Sequence, residues 1–167
     1  MSGNSLGDTE FWDSTVGVQM QSLRTHIQDI TCLAASRSGQ VVVVGGINSR
    51  LVKLHRTQSG WVLESGVRHH THDVFVVAMA PQGTDWIVSG GLDTMLIRQR
   101  VSSFGMLERY DTPTQRLDPF PHFPVFSTYS RHDEHFLLSH AHTSIDLWHL
   151  GHSEFSLPLV CVAAIIR

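Results

Sequence analysis

Helical periodicity is missing from this sequence. No stretch repeats its apolar residues at three- and four-residue intervals for long enough to form an amphipathic helix, which leaves an all-β reading. Cysteine is scarce too: Cys32 and Cys161 both lie in apolar runs and cannot make a disulfide framework, which fits a reducing, intracellular compartment. Charged residues are 16% of the 167, and the formal net charge is −3, so there is no strong field to hold nucleic acid or an anionic membrane. Direct, non-specific RNA binding is therefore not expected. The most apolar stretch, Leu157 to Ile166, is about half of what a membrane-spanning helix requires. The first five residues are polar and lack the basic and apolar regions of a secretory signal. The absences describe a soluble chain, long enough for one domain with its own core.

What is present is a series of short β-type runs separated by turn residues. Phe11-Trp12-Asp13 ends one strand, and Val18 to Leu23 alternates apolar and polar with period two, as a half-buried strand does. A first full unit starts at His26-Ile27-Gln28-Asp29. Its strands are Ile30 to Ala35, the β-branched run Val41 to Val44, Leu51 to Leu54, and Trp61 to Leu63, with turns at 36–39 and 45–48. A second unit repeats this order from His70, with strands beginning at Val74 and Trp86, a third closing over 99–101, and a fourth over Met106 to Tyr110. Residues 111–125 hold four prolines and read as a connection rather than a central strand. A third, fainter unit follows, with strands over 125–130, 136–139 and 145–148.

The units keep register. Asp29 to Asp73 and Gly39 to Gly83 are each 44 apart, while Gly45-Gly46 to Gly90-Gly91, Asn48 to Asp93 and Leu51 to Leu96 are each 45 apart. Four short strands at a period of about 40–45 residues are the signature of a WD-repeat propeller blade. The expected fold is thus an all-β, partial WD-repeat β-propeller of about three four-stranded blades plus part of a preceding one. Its divisions fall at 1–23 (end of a blade), 24–65, 66–112 and 113–159 (repeats, the last degenerate), and 160–167 (an apolar tail).

In such a blade a histidine before the first strand, a hydroxyl on the second, an acid in the next turn and a tryptophan on the third can join by hydrogen bonds that fasten loop to sheet. The candidates are His70, Ser89 and Asp93 in the second unit, with Gln99 at the tryptophan position. The first unit offers His26 and Asn48, with Val44 and Leu54 at the other two positions. The third offers Ser139 and Trp148, with His142 in place of the acid, and the N-terminal remnant offers Trp12.

Chemistry finds less support. Twelve histidines, among them His69, His70, His72, His140 and His142, suggest a metal at first sight, but no Cys-x-x-Cys or His-Glu-x-x-His occurs. Gly45-Gly46 and Gly90-Gly91 lack the Lys-Ser/Thr and the helix of a phosphate loop and read as turns. No Gly-x-Ser-x-Gly elbow is present. No catalytic, cofactor or metal residue is assigned. Trp12, Trp61, Trp86 and Trp148 fall at strand positions and read as core, and Lys53, Arg98 and Arg100 read as solvated.

One combination is more specific. His69-His70-Thr71-His72-Asp73-Val74 followed by Ser89-Gly90-Gly91-Leu92-Asp93-Thr94 resembles the cirhin family of WD-repeat subunits of the small-subunit processome. Phe120-Pro121-His122, Leu147 to Gly151, and upstream Phe11 to Ser14 with Leu23 to His26 extend the likeness over roughly residues 2–158. The resemblance implies a nucleolar, non-catalytic scaffold in early pre-ribosomal RNA transcription and processing. It would touch other processome proteins and pre-rRNA only indirectly, with no membrane partner, small-molecule substrate or cofactor. The alternative is a cytosolic WD adaptor or substrate receptor. Family members carry more blades on both sides, and the Val160 to Arg167 end has no counterpart in the resemblance. A fragment that starts inside a blade, at its third strand, is the expectation. An open arc of this kind would expose edges and be poorly soluble alone.

Overall fold

The computed structural model describes residues 1–79, 85–93 and 95–111, together with the backbone of strands Ser127–Arg131, Glu134–His140, Ser144–His149 and Val160–Ile166. Among these residues every regular element is a strand, and no helix long and apolar enough to cross a membrane is present.

Four antiparallel sheets follow one another along the chain. The first has three strands, β1 (Ser2–Gly3), β2 (Asp8–Trp12) and β3 (Gln19–Arg24), in that order. The second is a four-stranded meander of β4 (Ile30–Ala35), β5 (Val41–Gly46), β6 (Leu51–Thr57) and β7 (Gly60–Val67). The third repeats it with β8 (Val74–Met79), β9 (Trp86–Gly91), β10 (Met95–Arg100) and β11 (Met106–Asp111). The fourth is built from β12 (Ser127–Arg131), β13 (Glu134–His140), β14 (Ser144–His149) and β15 (Val160–Ile166). Simple nearest-neighbour meanders are what short strands joined by tight turns produce. The sheets stack in sequence: β1 lies beside β4, β4 beside β8, and β8 beside β12. This is the arc of a partial β-propeller.

The apolar tail set apart at 160–167 supplies β15, paired to β14 from Ser144↔Ile166 to His149↔Val160. Its β-branched content (Val160, Val162, Ile165, Ile166) suits a pleated strand, so the fourth sheet closes with four strands. The turns around Gly83 and His142 lie outside the described residues, as does the 112–126 connection.

Among the described residues, two apolar layers lie between sheets. One joins Phe11 of the first sheet to Val42, Val44, Val52 and Leu54 of the second. The other joins Val43 and Leu51 to Val74, Val77, Ile87 and Phe104 of the third. Val42, Val43 and Val44 are all buried, because neighbouring sheets cover both faces of β5. At about 1.5–3 kcal/mol for each fully buried aliphatic side chain, these layers are the main attraction between blades.

The glycine pairs are not turns. Gly45 and Gly46 end β5, and Gly90 and Gly91 end β9, each pairing across a bulge with the preceding strand. A Cβ on Gly46 would stand 2.6 Å from the Asp29 carbonyl oxygen, and one on Gly91 would strike the carbonyl of Asp73. The same carbonyls accept the next backbone donors, Ile47 N–H at 3.1 Å and Leu92 N–H at 2.9 Å. A close backbone approach, repeated in consecutive blades, is what these glycines permit.

Candidate functional site

Among the described residues, the third sheet holds the most complete polar network. His70 precedes β8, Ser89 lies on β9, and Asp93 sits in the turn between β9 and β10. The His70 Nδ1 is 3.0 and 2.9 Å from the two Asp93 carboxylate oxygens, and its Nε2 is 2.9 Å from Ser89 Oγ. The Asp93 carboxylate also accepts the backbone N–H of Thr71 at 2.9 Å and of Met95 at 3.2 Å. One acid thus gathers the chain before β8, the turn after β9 and the start of β10. Burial by itself would raise the Asp93 carboxyl. The hydrogen bond and charge of His70, with the Thr71 and Met95 donors, outweigh that and hold it below the usual carboxylate range.

The connectivity Ser–His–Asp is that of a hydrolytic triad. It cannot work as one here, because Ser89 is 0% exposed and no substrate carbonyl can reach its Oγ. What the three residues do in this structure is join the chain before β8 to β9 and to the turn after it.

Comparison with the other sheets shows what each repeat keeps. In the second sheet His26 does not reach Asn48: its Nε2 lies 3.0 Å from the Arg50 carbonyl and its Nδ1 3.1 Å from Thr25 Oγ1. Asn48 Oδ1 accepts Arg50 N–H at 3.2 Å, the same two-residue contact that Asp93 makes with Met95. Burial pushes the His26 imidazole below its ordinary pKa, with the nearby Arg50 charge adding to the effect against the Arg50 carbonyl. Val44 and Leu54 fill the hydroxyl and tryptophan positions with apolar volume and are fully buried.

In the first sheet Trp12 Nε1 donates to Ser2 Oγ at 2.8 Å, and Ser2 Oγ donates to Glu10 at 3.0 Å. Ser2 is a blade position that motif reading passed over. It stands ten residues before Trp12, as Ser89 stands ten before Gln99, and that count was the available signal. In the fourth sheet Ser139 pairs with Asp146 and Leu137 with Trp148, so the backbone places Ser139 on β13 and Trp148 on β14 in the register of Ser89 and Gln99.

Gln99 itself is fully buried, and neither its amide nitrogen nor its oxygen has a hydrogen-bond partner among the described residues. Trp12 shows the opposite state. It is 42% exposed, with no described sheet over its face, whereas Leu54 and Gln99, its counterparts one and two sheets on, are fully buried.

Contacts between sheets use residues that a period-two pattern does not mark. Lys53 on β6, expected in solvent, is buried. Its ammonium donates to the carbonyls of Val101 at 2.9 Å and Ser102 at 3.0 Å and pairs with Glu64 at 2.7 Å. Its alkyl stem reaches the third sheet because the 101–105 turn offers unpaired carbonyls, and Phe104 lies 5.8 Å beneath the charge. On the outer rim, Phe11 and Trp61 stack with ring centroids 4.5 Å apart. Gln21 bonds the Trp61 backbone in both directions. A cavity of about 290 Å³ lies beside them, between β3 and the β6–β7 hairpin.

Of the remaining histidines, His69 Nε2 lies 3.4 Å from the Phe104 carbonyl and His72 is exposed. Among the described residues no group of three or more His, Cys, Asp or Glu is placed to hold a metal. Burial pushes the Cys32 thiol up to about 12, so it is packing rather than a nucleophile.

No family model matches the chain. The chain is similar to U3 small nucleolar RNA-associated protein 4. The human homolog is 29% identical over 158 residues, covering 90% of this chain and 22% of that protein. The Schizosaccharomyces pombe protein is 33% identical over 99 residues, covering 58% and 14%, and the Saccharomyces cerevisiae protein is 24% identical over 170 residues, covering 96% and 21%. Those relatives carry the yeast name for cirhin. The chain spans about a fifth of the length of the human and budding-yeast relatives. Among solved structures, a chain in the crystal structure of the mitotic checkpoint complex superposes with a TM-score of 0.75 at 17% identity, over 98% of this chain and 47% of that one. That likeness establishes the WD-repeat propeller fold.

Proposed function

We propose that this chain is a non-catalytic WD-repeat scaffold acting in small-subunit ribosome biogenesis, at the stage of early pre-rRNA transcription and processing. It works in the nucleolus, by contacts with other processome proteins, and meets pre-rRNA through them. The observation that carries this reading is its similarity to U3 small nucleolar RNA-associated protein 4 along 90% of its length. The polar network supports a structural role, since its one hydroxyl nucleophile is sealed in the sheet. The net charge of −3 assigns most of the RNA electrostatics to partners.

The test is affinity purification of the tagged chain from whole-cell extract, reading U3 small nucleolar RNA by reverse transcription and proteins by mass spectrometry. Enrichment of U3 RNA together with processome proteins is the expected result. Recovery of a ubiquitin-ligase adaptor in place of both would replace this reading with a cytosolic receptor.

A further inference from the structure

The rim cavity between the first two sheets has the properties of a peptide-docking groove. Its floor is rigid: Phe11 stacks on Trp61, and Gln21 holds the Trp61 backbone through bonds of 2.7 and 2.8 Å. Its hairpin wall is rigid too. Thr57 Oγ1 donates to the Gly60 carbonyl at 2.8 Å and meets Ser59 Oγ at 3.0 Å. Gly60 has φ +127°, and a Cβ there would stand 2.7 Å from Gln21 Oε1, so the turn and the clamp fit only around glycine.

The other wall is apolar and open. Met20 is 70% exposed within the lining, and Val18, just before β3, and Val62 and Leu63, on β7, are exposed as well. Exposed apolar side chains gathered on one rim mark an interaction surface more than a monomer's ordinary surface. At about 290 Å³ the cavity admits a side chain or two rather than a larger ligand.

Two further features select the occupant. Arg56 is the one charged residue in the lining, is exposed, and makes no ion pair among the described residues. A free guanidinium at the mouth of an apolar groove complements a carboxylate. β3 is the outer strand of its sheet, so its outward backbone groups face no strand among the described residues. That edge suits an extended segment able to add to it.

We propose that this groove receives an extended segment of a partner protein in which an acidic residue neighbours a large apolar one. The carboxylate pairs with Arg56, the apolar side chain fills the cavity against Met20 and Phe11, and the backbone runs along β3. The inference deepens the scaffold reading without needing the ribosome-assembly assignment. Its test contains no processome component, so the two readings fail separately.

The experiment titrates the full 167-residue chain into fluorescein-labelled nonapeptides and reads anisotropy. One probe alternates Glu with Leu and Phe, a second carries Gln for Glu, and a third carries Lys. Saturable binding of the Glu peptide alone is expected. Arg56→Glu should weaken it by about tenfold or more, the loss expected for a charge-assisted bond, and should transfer preference to the Lys peptide. Met20→Ser should weaken every peptide that binds. Both residues are exposed, and unchanged circular dichroism and melting will show that the variants remain folded. No saturable binding, or equal binding of the Glu peptide by Arg56→Glu, overturns the proposal. So does a concentration-dependent dimer that Arg56→Glu abolishes, because the occupant would then be a second copy.

Discussion

Gln21 and Trp61, 40 residues apart, are joined like two paired strands: the Gln21 amide donates to the Trp61 carbonyl at 2.7 Å and accepts its N–H at 2.8 Å. A side chain thereby stands in for a ladder rung between β3 and β7, the outer strands of two sheets, which do not pair with each other among the described residues. Two net hydrogen bonds contribute about 1–3 kcal/mol together. Gln21→Ala should lower unfolding stability by that amount in urea. Gln21→Glu should cost at least as much, since it sets a carboxylate oxygen against the Trp61 carbonyl. Two variants as stable as the parent would show that solvent serves Trp61 equally well.

Gln99 makes the opposite prediction. Its amide is buried between sheets with both polar atoms unsatisfied among the described residues, at a position where the preceding repeat has Leu54. A buried, unpaired polar group costs about 1–3 kcal/mol, while an apolar group of similar shape does not. Gln99→Leu should therefore raise the melting temperature. A fall would mean that the amide has a partner, such as a buried water, that leucine cannot replace.

The contrast between these two residues shows what the sequence could and could not convey. Offsets of 44 and 45 residues located the strands and the His70–Ser89–Asp93 corner, because turn chemistry and period-two alternation are local. The Gln21 clamp and the burial of Lys53 depend on which sheet lies opposite, and no local pattern encodes that. The glycine pairs misled for a related reason. Gly91 reads as a turn until the Asp73 carbonyl crosses it, and only the folded strands bring the two together. The residues selecting a partner at the groove, Arg56 and Met20, carry no motif at all.

Asp93 anchors three donors, and its removal should be the most damaging change in the corner. Asp93→Ala leaves His70 Nδ1 and the Thr71 and Met95 N–H groups without their acceptor, a loss of about 3 kcal/mol. Ser89→Ala removes one bond and should cost about 1 kcal/mol. The acid dependence follows from the lowered carboxyl. Asp93's contribution is complete above the ordinary value of 3.8 and disappears as pH falls below it through the folded-state value. Acid unfolding curves of Asp93→Ala and parent should converge in that range. A constant gap between them down to full protonation would remove the charge from the account.

His26 sets a separate window at higher pH. Burial holds its imidazole below the ordinary 6.5, so between the two values the unfolded chain binds a proton that the folded chain refuses. Its stability contribution is whole above about 6.5 and declines as pH falls toward the folded value, by up to about 1.4 kcal/mol per pH unit. His26→Gln keeps a donor for the Arg50 carbonyl, 3.0 Å from Nε2, and cannot take up the proton. Urea midpoints measured from neutral pH downward should fall more steeply for the parent than for His26→Gln. The eleven other histidines are common to both chains and cancel in the difference. Parallel slopes would show that His26 is protonated as readily folded as unfolded, and that the Thr25–His26–Arg50 contacts open without cost to the blade.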